Sequence, residues 1–93
     1  MAAEKPQVEL LLIRNDPPCK RCHQAEATLR EVAAAAPAPV TVRTITNRDP
    51  EAARYGAVLT PMVVMNGKIV CAGIAPRAAG LAKLVEAEVS AVR

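Results

Sequence analysis

Apolar residues run from Val8 to Ile13 with only Glu9 interrupting them. Such a run predicts a strand buried at the centre of a sheet, beside a parallel neighbour. Ala25, Leu29, Val32, Ala33 and Ala36 then recur at helical spacing, predicting one apolar face of a helix over 24–36, which Pro37-Ala38-Pro39 stops. From Val40 to Thr46 the residues are mostly β-branched, with Val40, Val42 and Thr44 alternating against Thr41, Arg43 and Ile45. This predicts a second strand, parallel to the first through a right-handed crossover. Asp49 as N-cap and Pro50 at the first helical position open a short helix that ends near Tyr55-Gly56. Val58-Leu59-Thr60-Pro61 leads into a third strand, Met62 to Met65; Asn66-Gly67 is a two-residue hairpin turn, and Lys68 to Ala72 returns as a fourth. Past Gly73, Pro76 can open a last helix whose apolar face is Leu81, Leu84, Val85, Val89 and Val92. The order βαβαββα predicts an α/β fold, a four-stranded mixed sheet flanked by helices, with residues 1–93 forming a single domain.

Composition adds two constraints. Ninety-three residues allow one modest core, and this one is carried by Ala, Val and Leu, with no Phe or Trp and one Tyr. Small side chains bury less area each, so moderate stability is expected. The net charge of +3 is scattered along the chain. Clustered charge interleaved with aromatics, the pattern of nucleic-acid binders, is missing. No stretch reaches the length of a membrane span. Leu10 to Ile13 is too short for a signal peptide, is preceded by Glu9 and is followed by no cleavage site, so a cytoplasmic location is expected. Three cysteines, an odd number, do not suit a secreted disulfide scaffold. In a reducing compartment a close cysteine pair is catalytic or metal-binding more often than structural.

The chemistry concentrates in Asn15-Asp16-Pro17-Pro18-Cys19-Lys20-Arg21-Cys22-His23. Two thiols three positions apart sit where a strand hands over to the first turn of a helix, which reads as a dithiol/disulfide redox site. Pro17 and Pro18 keep the chain extended up to Cys19. The unpaired N–H groups of the helix's first turn favour thiolate over thiol at Cys19. Lys20 and Arg21 oppose the helix dipole there, at about 0.3–1 kcal/mol each, a penalty offset when an anion forms beside them. The plainer reading makes both of them solvated surface residues.

Other readings stay open. Cys19, Cys22, His23 and Cys71 supply enough soft ligands for zinc, copper(I) or a metalloid such as arsenic, which would make the chain a binding module without redox turnover. Cys19-Lys20-Arg21-Cys22-His23 also matches the C-x-x-C-H haem-attachment pattern, with His23 and either Met62 or Met65 as iron ligands. Against haem stand the missing export signal, the missing aromatic pocket and the β-rich remainder. His23 otherwise reads as an exposed helix residue, or one that adds positive field when protonated. Cys71 reads as inert core packing or as a thiol open to glutathionylation, and Tyr55 as a packing residue at the end of the second helix.

With these residues in place the chain resembles the thioredoxin-like superfamily in its minimal form, the small thioredoxin/glutaredoxin-like redox-active disulfide proteins of bacteria and archaea. The likeness rests on Cys19-Lys20-Arg21-Cys22 after the first strand, Tyr55-Gly56 before the third, Thr60-Pro61 at its start, and the hairpin Val63 to Val70 followed by Gly73. It implies a thiol–disulfide oxidoreductase in which Cys19 is the nucleophile and Cys22 the resolving thiol. It further implies that Pro61 follows a cis peptide bond packed against the dithiol, leaving the backbone of Thr60 to pair with an extended substrate segment. No cofactor is implied beyond the Cys19–Cys22 disulfide itself. The implied partners are a protein disulfide substrate and an unidentified reductase or small-thiol reductant, with no nucleic acid or membrane involved and the chain acting as a monomer. Lys20 and Arg21 are expected to tune the thiol and make the couple more oxidising than a common thioredoxin of about −270 mV.

Two departures qualify the likeness. Larger thioredoxins carry a Trp just before the first cysteine and a buried acid at the end of the preceding strand, where this chain has Pro18 and Ile13. Deprotonation of Cys22 must therefore depend on water, on Asp16 or on another group. Glutaredoxins carry a Gly-Gly pair after the hairpin, where this chain has Gly73-Ile74, so a protein disulfide is expected in preference to glutathione.

Overall fold

The structure is a computed structural model and describes residues 8–17, 19–56 and 59–91. Pro18, Val58 and Val92, each part of the sequence reading, lie outside the described residues. The elements follow the expected order: β1 (Val8–Arg14), α1 (Lys20–Ala35), β2 (Val40–Thr46), α2 (Pro50–Ala53), β3 (Met62–Met65), β4 (Lys68–Ala72) and α3 (Ala78–Ala91). They build one four-stranded mixed sheet in the order β2-β1-β3-β4. β1 runs parallel to β2, with Leu12 opposite Thr44, and antiparallel to β3, with Leu12 opposite Val63.

The apolar run of β1 is explained by its central place, since both of its faces are covered. Val8, Leu10 and Leu12 point to one face and pack with Ala25, Leu29 and Val32 of α1 and Leu81, Val85 and Val89 of α3. Leu11 and Ile13 point to the other, where Met62, Val64 and Ile45 of the neighbouring strands lie beside them and Ala52 of α2 and Tyr55 pack against them. Two long helices thus cover one face and a single short one covers the other. Tyr55, the chain's one aromatic residue, completes the thinner layer.

At the hairpin between β3 and β4, Asn66 (φ 49°) and Gly67 (φ 84°) both take left-handed backbone conformations. A tight two-residue turn demands this, and Asn-Gly tolerates it best. Asp49 caps α2 as expected, its side chain accepting from the Glu51 N–H at 2.9 Å.

The last helix differs from the expectation in two ways. It begins at Ala78, not at Pro76, and its first backbone bond runs from the Leu81 N–H to the Arg77 carbonyl, which puts Arg77 at the cap. Its buried face is Leu81, Val85, Glu88 and Val89, while Leu84 is left exposed at the margin. Glu88 is drawn inward because it holds the hairpin: Asn66 Nδ2 donates to its carboxylate at 2.9 Å, and Lys68 Nζ lies 3.6 Å away. A buried carboxylate is tolerated when it is paired and hydrogen-bonded. No described helix is long and apolar enough to cross a membrane.

Candidate active site

Cys19 is the N-cap residue of α1, extended at φ −92° and ψ 176°, and its carbonyl accepts the first helical bond, from the His23 N–H at 3.1 Å. This position places Cys22 one turn along the same helix, and the two sulfurs are free thiols 3.2 Å apart. The pair is asymmetric. Cys19 is partly open to solvent, whereas Cys22 is 1% exposed. Of the two sulfurs, Cys19 is the one open to an approaching molecule.

The surroundings hold the Cys19 thiol below its ordinary range. The Cys22 thiol contributes most, as a hydrogen-bond donor to the sulfur, followed by the Cys22 backbone N–H, the Arg21 backbone N–H and the Asn15 side chain, against an opposing effect of burial. Each is a donor or dipole that gains when the sulfur becomes an anion. The first turn of α1 also holds no acidic residue to work against it. The side-chain charges of Lys20 and Arg21 are not among these causes. Arg21 acts through its backbone, and its guanidinium reaches across to the Gly73 carbonyl at 3.5 Å.

Asn15, the first residue past β1, ties the site together and was not singled out from the sequence. Its backbone N–H donates to Cys22 Sγ at 3.4 Å, and its Oδ1 accepts from the Thr60 hydroxyl and, at 3.4 Å, from Asn47 Nδ2. Only its position, in the polar segment between the first strand and Cys19, could have marked it. Thr60 is thereby fastened beside the dithiol. The Thr60–Pro61 and Asp16–Pro17 peptide bonds are both cis. The Pro61 carbonyl accepts from the Gly73 N–H at 2.9 Å, while the backbone of Thr60 makes no hydrogen bond among the described residues. Gly73 sits at φ 85° with Leu59 against it, and Leu59 (60% exposed) and Ile74 (61%) form an apolar rim to this side.

The other candidate residues lie apart. Cys71 is half-buried in β4, donates its S–H to the Ile74 carbonyl at 3.2 Å, and is pushed above the ordinary thiol range by burial. Among the described residues no three of His, Cys, Asp and Glu are placed to hold a metal ion, so Cys19, Cys22, His23 and Cys71 do not form a ligand set. His23 is exposed, while Met62 and Met65 are buried on opposite faces of the sheet. Ile13 is fully buried, and Asp16 is exposed and lies 3.9 Å from Arg48.

Residues 7–86 match the model of a family described as "Thioredoxin domain". Among solved structures, the fold is similar to thioredoxin-2 of the malaria parasite, described as a component of that organism's protein secretion machinery. The two share 12% identity at a TM-score of 0.71, over 94% of this chain and 88% of that one. It is also similar to a mutant thioredoxin from Halobacterium salinarum NRC-1 that carries a single asparagine-to-glutamine substitution. There the identity is 21% and the TM-score 0.70, over 90% of this chain and 76% of that one. No curated protein sequence matches the chain.

Proposed function

Because the chain belongs to the thioredoxin-domain family, we propose that it is a thiol–disulfide oxidoreductase that reduces or exchanges protein disulfides through Cys19 and Cys22. The observation that carries this reading is the asymmetric pair: an accessible thiol of lowered pKa at a helix N-terminus, with a buried second thiol 3.2 Å away. The Cys19 thiolate attacks one sulfur of the substrate disulfide, and the other sulfur leaves as a thiolate and takes a proton from solvent. The Cys22 thiolate then attacks Cys19 Sγ. The Cys19–Cys22 bond forms, the bond between Cys19 and the substrate breaks, and the second substrate sulfur leaves with the electron pair. A separate reductase or small thiol returns the dithiol to its reduced form.

The Thr60 backbone and the rim of Leu59 and Ile74 offer an extended substrate segment one strand-like edge and an apolar contact. Lys20 and Arg21, both exposed on the first turn of α1, add a solvent-screened positive field beside the dithiol, secondary to the thiol and backbone donors that lower the Cys19 pKa. This chemistry suits a reducing, cytoplasmic setting and a monomer, since the dithiol is complete within one chain.

The test is trapping with Cys22→Ser, which leaves the nucleophile and removes the thiol that resolves the intermediate. Mixed disulfides with cellular proteins should accumulate on Cys19 and disappear when Cys19 is also replaced. A Cys22→Ser protein that captures nothing and exchanges with no model disulfide would end this reading.

A further inference from the structure

Resolution requires Cys22 to lose a proton, yet its side chain is 1% exposed and bulk solvent cannot take that proton directly. Cys22 does border one opening. A cavity of about 360 Å³ lies behind the dithiol between α1 and the ends of β1 and β2. Its walls include Cys22, Glu26, His23, Arg14 and Thr44. We propose that Glu26 is the proton acceptor for Cys22, reached through water in this cavity; the inference rests on the oxidoreductase reading above.

Three observations converge on it. Glu26 follows Cys22 by four positions on α1, so the two side chains share a helix face, and both line the cavity. Thr44 faces the same space, since Val40 and Val42, at alternate positions of β2, pack on the α1 side. Its Oγ1 is buried and has no hydrogen-bond partner among the described residues. A buried hydroxyl takes a partner, and a polar cavity of this size has room for waters that bridge Thr44, Cys22 and Glu26. Third, the charged groups around the cavity leave one base of the right kind. Arg14, from β1, cannot accept a proton and donates its guanidinium to the Asn15 carbonyl at 2.9 Å. β2 contributes only Thr44, Ile45 and Thr46. His23 is exposed and one residue from Cys22, about 100° around the helix from it. Glu26 is half-buried and takes a hydrogen bond from Arg30 at 3.0 Å, which leaves carboxylate lone pairs free for water.

In the step itself the Cys22 S–H proton passes through water to the Glu26 carboxylate while Cys22 Sγ bonds to Cys19 Sγ. The bond from Cys19 to the substrate sulfur breaks, that sulfur leaves as a thiolate, and Glu26 returns its proton to solvent through the cavity mouth.

The test uses the full chain carrying Cys71→Ala, mixed with 5,5′-dithiobis(2-nitrobenzoate) under stopped flow. Attack by Cys19 releases one coloured thiolate, and resolution by Cys22 releases the second. Glu26→Gln should leave the first phase intact and slow the second by roughly 10²-fold near pH 7, within the range of general-base catalysis. Its second phase should also climb about tenfold per pH unit and converge on the parent rate at high pH, where the parent itself changes little over about pH 6–8. Glu26→Asp should recover part of the rate, and Arg30→Gln, which removes the same ion pair but keeps the carboxylate, should match the parent. A second phase in Glu26→Gln that equals the parent at every pH overturns the assignment, as does a slow phase that follows His23→Gln instead. Absence of the first phase in the parent would instead sink the oxidoreductase reading.

Discussion

Cys19 and Cys71 are both partly open thiols, and their settings push them in opposite directions. Donors around Cys19 lower its pKa, and desolvation raises that of Cys71. Iodoacetamide at about pH 6–7 should therefore label Cys19 well ahead of Cys71, with peptide mapping as the readout, and the gap should narrow as pH rises past the ordinary thiol range. The sign for stability follows. A thiol whose pKa is lowered on folding adds stability above its unfolded pKa, and this is lost as pH falls through the folded value. Reduced protein should thus lose stability relative to Cys19→Ser over that window, measured by urea unfolding. Replacing Lys20 and Arg21 together with neutral residues should lower the reduction potential against glutathione, and added salt should shrink the difference, because exposed charges act only through a screened field. Asn15→Ala should raise the Cys19 pKa, since the Asn15 side chain is one of the groups that lowers it; thiolate absorbance against pH reads this directly.

Among the elements, α1 matters through its beginning. The sequence spacing already put Cys19 and Cys22 in its first turn, and the structure shows why that suffices: backbone donors at the N-terminus, together with the Cys22 thiol and not the side-chain charges, do most of the polarising. α2 has a different task. It is four residues long, yet Ala52 and the adjoining Tyr55 are what cover Leu11 and Ile13 on the thinner side of the sheet. Its hold depends on the Asp49 cap, so Asp49→Ala should cost about 1 kcal/mol, a loss of roughly 4–8 °C in melting temperature for a domain of this size. The dithiol should still exchange, because none of its hydrogen bonds among the described residues come from α2. For α3, periodicity marked Leu84 as buried and gave no place to Glu88. Helical spacing names the residues that could face inward; only the hairpin's Asn66 and Lys68 explain why a carboxylate does.

At the scale of the molecule, one strand organises everything, since β1 supplies both cores and ends at the site. Leu12 and Leu29 are fully buried between the sheet and its two long helices. Truncating either to Ala should cost about 2–5 kcal/mol in urea unfolding, a large share of the roughly 5–15 kcal/mol that such a domain has. Element order, the central place of β1, the hairpin and the position of both thiols were all legible in the chain before it was folded. Each of these follows from local periodicity, turn chemistry or the spacing of a few residues. What surrounds the thiols was settled only by the packed molecule. Asn15 reaches Thr60 across 45 positions, and Arg21 reaches Gly73 across 52. Thr44 meets the cavity of Cys22 and Glu26 because β2 lies beside β1 under α1. No local pattern encodes such contacts, since the strand pairing that creates them forms only when distant segments close on one another.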